Sequence, residues 1–430
     1  MRGRKAEFER KLAQTGLWQL LDLLQTLPDE TARLARLCYA ASPASDWLDT
    51  PPEVFFSCAA HARYLRENVS WTRALPEPLF LAYVLHPRVN NEALCDCRPV
   101  FYAALAERLR GLPEEAAVLE INRWCAEHVV YQPTDERTRS ALAVLRAGFG
   151  RCGEESMFAV NVLRACGFAA RQVYVPRWAH CDDNHAWVEV RCGGAWHFLG
   201  ACEPEAVLDR GWFNSAAGRA VLVHSRCFGE PEPGADLIGR EGDVVYCNET
   251  ARYADVRRLT VRVTDGNGVP AAGADVDFCI LNNCEWYPAA TVQTDASGMA
   301  ALTCGLGSLR LLARRDGLCC EAFVSPEETG PVVLTLGRPV YPTDRWEPIE
   351  LTAPHGGAVR GTVPTEAQRD LQERWLRQAH EAWTQRREAR LDEADAQGLP
   401  PEETALLRAG AGHAAQLAAF LREEPEALPL

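Results

Sequence analysis

The stretch Gly148-Phe-Gly-Arg-Cys-Gly-Glu-Glu-Ser-Met-Phe-Ala-Val-Asn-Val-Leu-Arg-Ala-Cys-Gly-Phe-Ala-Ala-Arg-Gln-Val-Tyr174 decides the fold. Its first three glycines predict a tight turn around Cys152, and the apolar periodicity from Glu154 to Ala165 predicts a helix immediately after that turn. Cys152 would then stand at the N-terminus of the helix, where unpaired amides and the helix dipole lower a thiol pKa and can hold an oxyanion. The pattern therefore indicates a nucleophilic cysteine.

A base for this thiol follows in Asn184-His-Ala-Trp-Val-Glu-Val, which predicts a strand headed by His185. Gly193-Gly194 predict a hairpin turn, so the next strand, Trp196 to Leu199, would lead to the residue that orients the imidazole. Glu203 is the predicted third member of a triad. The alternatives for this third position are Glu205 and Asp183. Nucleophile, base and orienting acid would come in chain order from a helix tip and two neighbouring strands.

Further residues around these motifs are candidates for the substrate cleft or an oxyanion donor. They are Trp124, Tyr174, Trp178, Asp183 and Trp187. The run His180-Cys-Asp-Asp-Asn-His185 also has the composition of a metal site. Consecutive residues rarely all face one ion, however, and the cysteine chemistry needs His185 free. We therefore predict no metal site, and the mechanism requires no cofactor.

The residues resemble the transglutaminase-like superfamily of papain-like cysteine enzymes over about Glu114 to Phe228. The family motifs are matched in order by Arg151-Cys152-Gly153, Leu163 to Arg171, His185-Ala186-Trp187 and Trp196 to Glu203. The resemblance implies a Cys-His-Asp-type triad that acts on an amide. Many relatives carry an aspartate four residues after the tryptophan of the last strand, where this chain has Gly200. Glu203 would therefore act from a displaced position, at a spacing similar to that of peptide N-glycanases.

The chain has 430 residues, enough for several domains of about 100 to 200 residues each. Periodicity, prolines and turn signals divide it into a helical N-terminal region (1–112), the transglutaminase-like core (113–228), a linker (229–258), a β-sandwich (259–338), a second linker (339–363) and a helical tail (364–430). The predicted fold class is multidomain α+β with a papain-like core. The sandwich resembles immunoglobulin- or transthyretin-like accessory domains, and the whole arrangement resembles bacterial multidomain transglutaminase-domain proteins. The charged segment Glu366 to Ala389 predicts a solvated helix.

Composition excludes several classes of protein. With 45 Lys and Arg against 59 Asp and Glu, the net charge is −14, which disfavours a nucleic-acid partner. No apolar run approaches the roughly 20 residues that cross a bilayer, and the charged start lacks the pattern of a signal peptide, so we predict a cytoplasmic protein without a membrane partner. The 17 cysteines are an odd number in a large chain and are predicted to be mostly reduced and buried.

The predicted function is cleavage of amide bonds through a thioester intermediate. Water resolving that thioester would make the chain a protease, amidase or deamidase, whereas an amine would make it a cross-linker. We favour hydrolysis because cross-linking requires a site that excludes water, and no motif indicates one. A protein or peptide is the predicted substrate, and a carbohydrate or protein is the predicted ligand of the sandwich. Two alternatives stay open: a peptide N-glycanase, and a non-catalytic scaffold, which Gly200 motivates.

Overall fold

The computed structural model describes residues 2–134, 137–328, 330–338, 348–357 and 360–396. They form a mixed α+β protein with an N-terminal group of helices, a sheet with a central helix packed on it, a two-sheet unit and a long C-terminal helix. No described helix has both the length and the apolar character needed to cross a membrane.

The N-terminal region is helical, as the periodicity predicts. Its elements are α1 (Arg2–Thr15), α2 (Leu20–Gln25), α3 (Asp29–Ala41), α4 (Ala44–Asp49), α5 (Pro52–Asn68), α6 (Ser70–Ala74), α7 (Glu77–Phe80), a π-helical turn (Leu81–Leu85) and α8 (Arg98–Leu109). Prolines stand at or just before several helix starts, for example Pro28 before α3 and Pro43 before α4, because a first-turn amide needs no partner within the helix. Buried aromatic side chains, including Tyr39 and Phe55 with ring centroids 4.2 Å apart, hold the helices together.

The central unit is a six-stranded antiparallel sheet with a buried helix against it. Its elements are α9 (Glu114–His128), β1 (Val130–Tyr131), α10 (Ala141–Ala147), β2 (Phe149–Gly150), α11 (Cys152–Ala165), β3 (Ala170–Val175), β4 (His185–Cys192), β5 (Ala195–Leu199), α12 (Asn214–Ala217), β6 (His224–Phe228), β7 (Leu237–Glu241), β8 (Val244–Asn248) and α13 (Thr250–Tyr253). The strands lie in the order β5-β4-β3-β6-β8-β7. Helix α11 is apolar around most of its circumference and is buried almost throughout, as expected for a helix enclosed by other elements.

The segment 229–258 is not the linker that its Gly and Pro content predicts. Only the loop up to Asp236 is irregular; strands β7 and β8 follow, and β8 pairs with β6 to extend the sheet of the central unit. The sequence pattern does not indicate strand β7, because this strand lies at the sheet edge, is mostly exposed and has no alternation of apolar and polar residues. The breaker-rich stretch is therefore a connection within one sheet.

The following strands form two facing sheets around an apolar core. They are β9 (Val256–Thr264), β10 (Asp275–Asn282), β11 (Glu285–Gln293), β12 (Met299–Gly305), β13 (Leu309–Arg315), β14 (Leu318–Val324) and β15 (Val332–Thr335). One sheet has the order β11-β10-β13-β14 and the other β12-β9-β15. The sequence Leu-Cys-Cys-Glu-Ala-Phe-Val of β14 has no alternation of apolar and polar residues, although its burial alternates from Cys320 to Val324.

The C-terminal helix α14 (Glu366–Ala396) is mostly exposed, as its charge predicts, but one side of it is docked. It packs on α9; Ala379 is buried, and Trp383 Nε1 donates a hydrogen bond of 2.7 Å to the carbonyl oxygen of Gly148. The preceding segment is also bound to the central unit, where Thr362 N donates to Asp209 O at 2.9 Å. A few apolar residues among many charges are thus enough to dock this helix. Residues 397–430 of the predicted helical tail lie outside the described residues, and the domain boundaries remain predictions.

Candidate active site

The turn before Cys152 is held in place by the buried side chain of Glu154. This carboxylate accepts hydrogen bonds from Arg139 Nε at 2.8 Å and from Thr134 Oγ1 at 2.7 Å. Gly148 ends α10 with φ of 77°, a left-handed conformation that favours glycine. At Gly150 an added Cβ would lie 2.8 Å from the Glu154 Cβ, so the turn has no room for a side chain there. Cys152 is consequently fixed as the first residue of α11.

The electrostatic environment of Cys152 differs from the sequence prediction. Burial raises the pKa of its thiol, while hydrogen bonds from the backbone amides of Ala186 and Gly153 act to lower that pKa. The net direction is upward, because the loss of hydration outweighs the two amides and the nearby Glu155 carboxyl adds to the rise. The sequence-based prediction that the helix terminus lowers the pKa of the Cys152 thiol is therefore wrong for this structure. The thiol contacts the amide of Ala186, the residue after His185.

His185 is the first residue of β4 and is enclosed by aromatic rings. The centroid of its ring lies 4.7 Å from Trp212, 5.0 Å from Phe213 and 5.8 Å from Trp187. Burial lowers the pKa of His185 to about 4 despite the opposing charge of Asp183. Its Nε2 is buried and has no hydrogen-bond partner among the described residues. The imidazole is thus neutral near pH 7 and available to accept a proton.

Glu203 occupies the space that a side chain at position 200 would fill. A Cβ built on Gly200 would lie 2.0 Å from Glu203 Oε2, so the glycine makes room for the carboxylate of Glu203. The turn between them is clamped by Asn122, whose Nδ2 donates to the carbonyl oxygens of Gly200 at 3.0 Å and Glu203 at 2.8 Å. The carboxylate of Glu203 therefore lies directly beside position 200, and its role as the third member of a triad stays a prediction.

The partner of Glu203 is a residue that the sequence analysis missed. Trp212 Nε1 donates to Glu203 Oε1 at 2.9 Å, and burial raises the pKa of Glu203 to about 7. Within the described part of the chain no hydrogen bond joins Glu203 to His185. Trp212 connects them, because it donates a hydrogen bond to Glu203 and its ring packs on the ring of His185. Trp212 lies in an irregular loop 27 residues after His185, and no motif marks it.

Two exposed aromatic side chains lie at the candidate site, Tyr131 near the Cys152 thiol and Trp212 against the His185 ring. Trp212 is 66% exposed and Tyr131 is 61% exposed. Burial raises the pKa of Tyr131, and the nearby charges of Cys152, Asp183 and Glu155 raise that pKa further. The cleft therefore has an aromatic, partly acidic wall that is open to solvent.

The five predicted cleft residues differ in position. Trp124 and Trp187 are buried in the core, with exposures of 4% and 0%, because apolar burial is the stronger tendency of tryptophan, and neither presents a surface to a substrate in this structure. Trp178 is also buried, at 3% exposure. Tyr174 pairs with Ala186 across two strands, and its hydroxyl accepts from Arg226 at 3.2 Å. Asp183 lies near His185 and accepts a hydrogen bond from Asn184 N at 2.7 Å.

The loop before His185 is braced by the β10–β11 hairpin of the two-sheet unit. Asn282 Nδ2 donates to the carbonyl oxygens of Trp178 at 2.9 Å and Cys181 at 2.8 Å. Asp182 Oδ1 accepts from Asn283 N at 2.7 Å, so this acid from the possible metal motif is engaged in holding the loop. Across the described ranges, no three His, Cys, Asp or Glu side chains converge as a metal site.

Part of the chain matches a known protein family. The model of the transglutaminase-like superfamily matches residues 103–201, which include Cys152 and His185. No curated protein matches the chain. Among solved structures, it is similar to the crystal structure of a protein from Cytophaga hutchinsonii provisionally named a cysteine protease. That match has 16% identity and a TM-score of 0.26, and it covers 43% of this chain and 68% of the other.

Proposed function

Because residues 103–201 form a domain of the transglutaminase-like superfamily, we propose that this chain is a cysteine-dependent enzyme that hydrolyses amide bonds in proteins or peptides. The observation that carries the proposal is the position of the Cys152 thiol at the first residue of a buried helix, against the backbone amide of Ala186, the residue that follows His185. A nucleophile and a base with a neutral nitrogen within reach are the minimum that acyl transfer requires.

The resting pair is uncharged at neutral pH, since the pKa of His185 is about 4 and that of the Cys152 thiol is raised. Proton transfer then accompanies attack: Sγ bonds the amide carbonyl carbon while His185 takes the thiol proton. The C–N bond breaks as His185 returns that proton to the leaving amine, and a thioester remains. Water adds to the thioester carbon with His185 again as base. The C–S bond then breaks, and the acid product and the free thiol are released.

Solvent access supports hydrolysis over amine transfer. Cys152 is half-buried, whereas Tyr131, which lies near it, and Trp212, which packs on His185, are more than half exposed, so the approach to the thiol is hydrated. An enzyme that selects an amine over water has to exclude water from that intermediate. We therefore favour a protease, amidase or deamidase.

The test is product analysis on glutamine-containing peptides with and without an added primary amine. We expect acid products in both conditions and none from Cys152→Ala. Cys181→Ala is the matched control, because Cys181 is an exposed thiol outside the thiol–imidazole pair, and it should retain full activity. Preferential incorporation of the amine would overturn the hydrolytic assignment.

A second candidate is a scaffold that keeps the fold without the chemistry. It is favoured by the unpartnered His185 Nε2 and by the hydrogen bond that holds Glu203 on Trp212 instead of on the imidazole. In that case the rate of Cys152 alkylation should be the same in His185→Ala as in the natural chain. A loss of reactivity in His185→Ala excludes the scaffold.

A further inference from the structure

Two closely spaced cysteines, Cys95 and Cys97, stand just before α8 and take no part in the candidate active site. Cys97 N donates a hydrogen bond of 3.0 Å to Cys95 O, which closes a three-residue turn. Such a turn brings the two Cα atoms nearer than the roughly 7 Å of an extended chain, and a disulfide spans about 4.4–6.8 Å. The backbone thus holds the two cysteines at a separation that a disulfide can bridge.

Contacts on both sides keep this turn in place. Its middle residue, Asp96, accepts a hydrogen bond of 2.7 Å on Oδ1 from Ser57 Oγ of α5. The carbonyl oxygen of Cys97 accepts from Phe101 N at 3.0 Å, in the first turn of α8. The turn is therefore anchored to two helices, and the two cysteines are close before any reaction begins.

The two thiols contact each other and differ in character. The Cys97 thiol donates a hydrogen bond to the Cys95 sulfur, and this contact lowers the pKa of Cys95. The amide of Leu142 and the hydroxyl of Ser140 also donate to Cys95, and the three donors together outweigh the opposing effect of burial. The contact with Cys95 and burial raise the pKa of Cys97. Cys95 is thus the thiol that forms the nucleophilic thiolate, and Cys97 keeps its proton.

Cys95 can be reached from solvent, whereas Cys97 cannot. Cys95 is half-buried and lines a groove together with Ser140 and Leu142. Cys97 is 3% exposed, and its Sγ lies 3.7 Å from Asn161 Oδ1. A small oxidant would therefore meet Cys95 first, with a second thiol directly beside it. An accessible thiol of lowered pKa next to a second thiol that can resolve it is typical of redox-sensitive cysteines.

We propose that Cys95 and Cys97 are a site of oxidation by peroxides, at which Cys95 reacts first and Cys97 then joins it in a disulfide. The Cys95 thiolate attacks one oxygen of hydrogen peroxide, the O–O bond breaks, and the hydroxide released takes a proton from solvent to become water. Cys95 then carries a sulfenic acid. The Cys97 sulfur attacks the Cys95 sulfur, the S–O bond breaks, and hydroxide leaves as water with the Cys97 proton. The two cysteines lose two electrons and the peroxide gains them.

No step uses Cys152, so this inference goes beyond the proposed function and does not depend on it. The test treats the reduced full chain with hydrogen peroxide, blocks the remaining thiols with iodoacetamide and reads every cysteine by peptide mass spectrometry. We expect the peptide with Cys95 and Cys97 to lose two hydrogen atoms, to escape alkylation and to regain both thiols with dithiothreitol.

The natural chain contains its own control. Cys319 and Cys320 are partly exposed, as Cys95 is, but they are neighbours on strand β14, where successive side chains point to opposite faces. Cys95 should be oxidised about tenfold faster than either, because oxidation follows thiolate character at similar exposure. This comparison requires no variant to fold.

Variants separate the roles of the two thiols. Cys97→Ser should stop at the sulfenic acid of Cys95, which dimedone captures, and Cys95→Ser should leave Cys97 reduced. Cys58→Ser is the matched control, because Cys58 lines a small pocket beside the pair but is 1% exposed, and this variant should still form the disulfide. The proposal is overturned if Cys95 is oxidised no faster than Cys319 and Cys320. It is overturned equally if Cys95 pairs with Cys58, or if it remains a sulfenic acid while Cys97 is present.

Discussion

Moving the acid of the candidate triad from position 203 to position 200 tests whether Glu203 replaces the aspartate of the relatives. Glu203→Ala removes the carboxylate, and the double variant Gly200→Asp/Glu203→Ala returns one from the main chain at position 200. A Cβ at Gly200 would lie 2.0 Å from the present Glu203 Oε2, so removing Glu203 clears the space that the new aspartate needs. Gly200 has no positive φ, and its backbone therefore accepts the substitution.

The size of the effect follows from the contact that Glu203 makes. Its 2.9 Å hydrogen bond from Trp212 holds the indole that packs on His185, and a hydrogen bond to a charged group contributes about 1.5–3 kcal/mol. Glu203→Ala should therefore slow the reaction of Cys152 by about 10- to 150-fold if the whole contribution acts on the thiol–imidazole pair. If Glu203→Ala shows a loss of that size, Cys152 of the double variant should react at least tenfold faster than Cys152 of Glu203→Ala, which corresponds to about 1.4 kcal/mol.

Stability gives an independent check that the variant is folded. The pKa of Glu203 is raised to about 7 in the folded chain and is about 4.3 when unfolded. A carboxyl with a raised folded pKa stabilises the fold at low pH, and that contribution is lost as pH rises through 7. Relative to the natural chain, Glu203→Ala should therefore lose less free energy of unfolding at pH 8 than at pH 5, measured by urea unfolding.

The assay is the rate constant of Cys152 alkylation by iodoacetamide at pH 7.5, read by peptide mass spectrometry alongside the other 16 cysteines. Glu205→Ala is the matched control, since this neighbouring acid pairs with Arg210 at 3.2 Å and should leave the rate within twofold. The reasoning is refuted if Glu203→Ala also stays within twofold of the natural chain. It is refuted equally if the double variant is no faster than Glu203→Ala.

Three further results are expected. Alkylation of Cys152 in the resting protein should have a pH midpoint above the ordinary thiol value of about 8.5, because burial raises its pKa; a midpoint below 8 would contradict this. Asn282→Ala should increase hydrogen exchange in residues 178–184, because two hydrogen bonds to that loop are lost, whereas Asn267→Ala, in an exposed turn of the same unit, should not. Burial lowers the pKa of His224 to about 3 in the folded chain. Between pH 7 and pH 5, the free energy of unfolding of the natural chain should therefore fall by about 2 kcal/mol more than that of His224→Gln, measured by urea unfolding. Equal decreases would show that His224 is not buried in the neutral form.

The sequence by itself determined the local elements and the order of the reactive residues. The glycine-bounded turn, the apolar helix after Cys152 and the strand that starts at His185 are all encoded within a few neighbouring residues, because turn chemistry and periodicity are local properties. The family resemblance rests on the same short motifs, and the match over residues 103–201 confirms it. The sequence predicts that Glu203 replaces the acid absent at Gly200 from a displaced position; its carboxylate lies beside Gly200, and its catalytic role stays a prediction.

Only the tertiary structure decided what surrounds those residues. Trp212 reaches Glu203 and His185 from a loop without a motif, and Asn282 reaches the His185 loop from about 100 residues further along the chain. The direction of the Cys152 pKa also depends on burial by distant elements, which outweighs the local effect of the helix terminus. Local sequence specifies which groups are present, whereas their hydration and their partners are set by contacts between segments far apart in the chain.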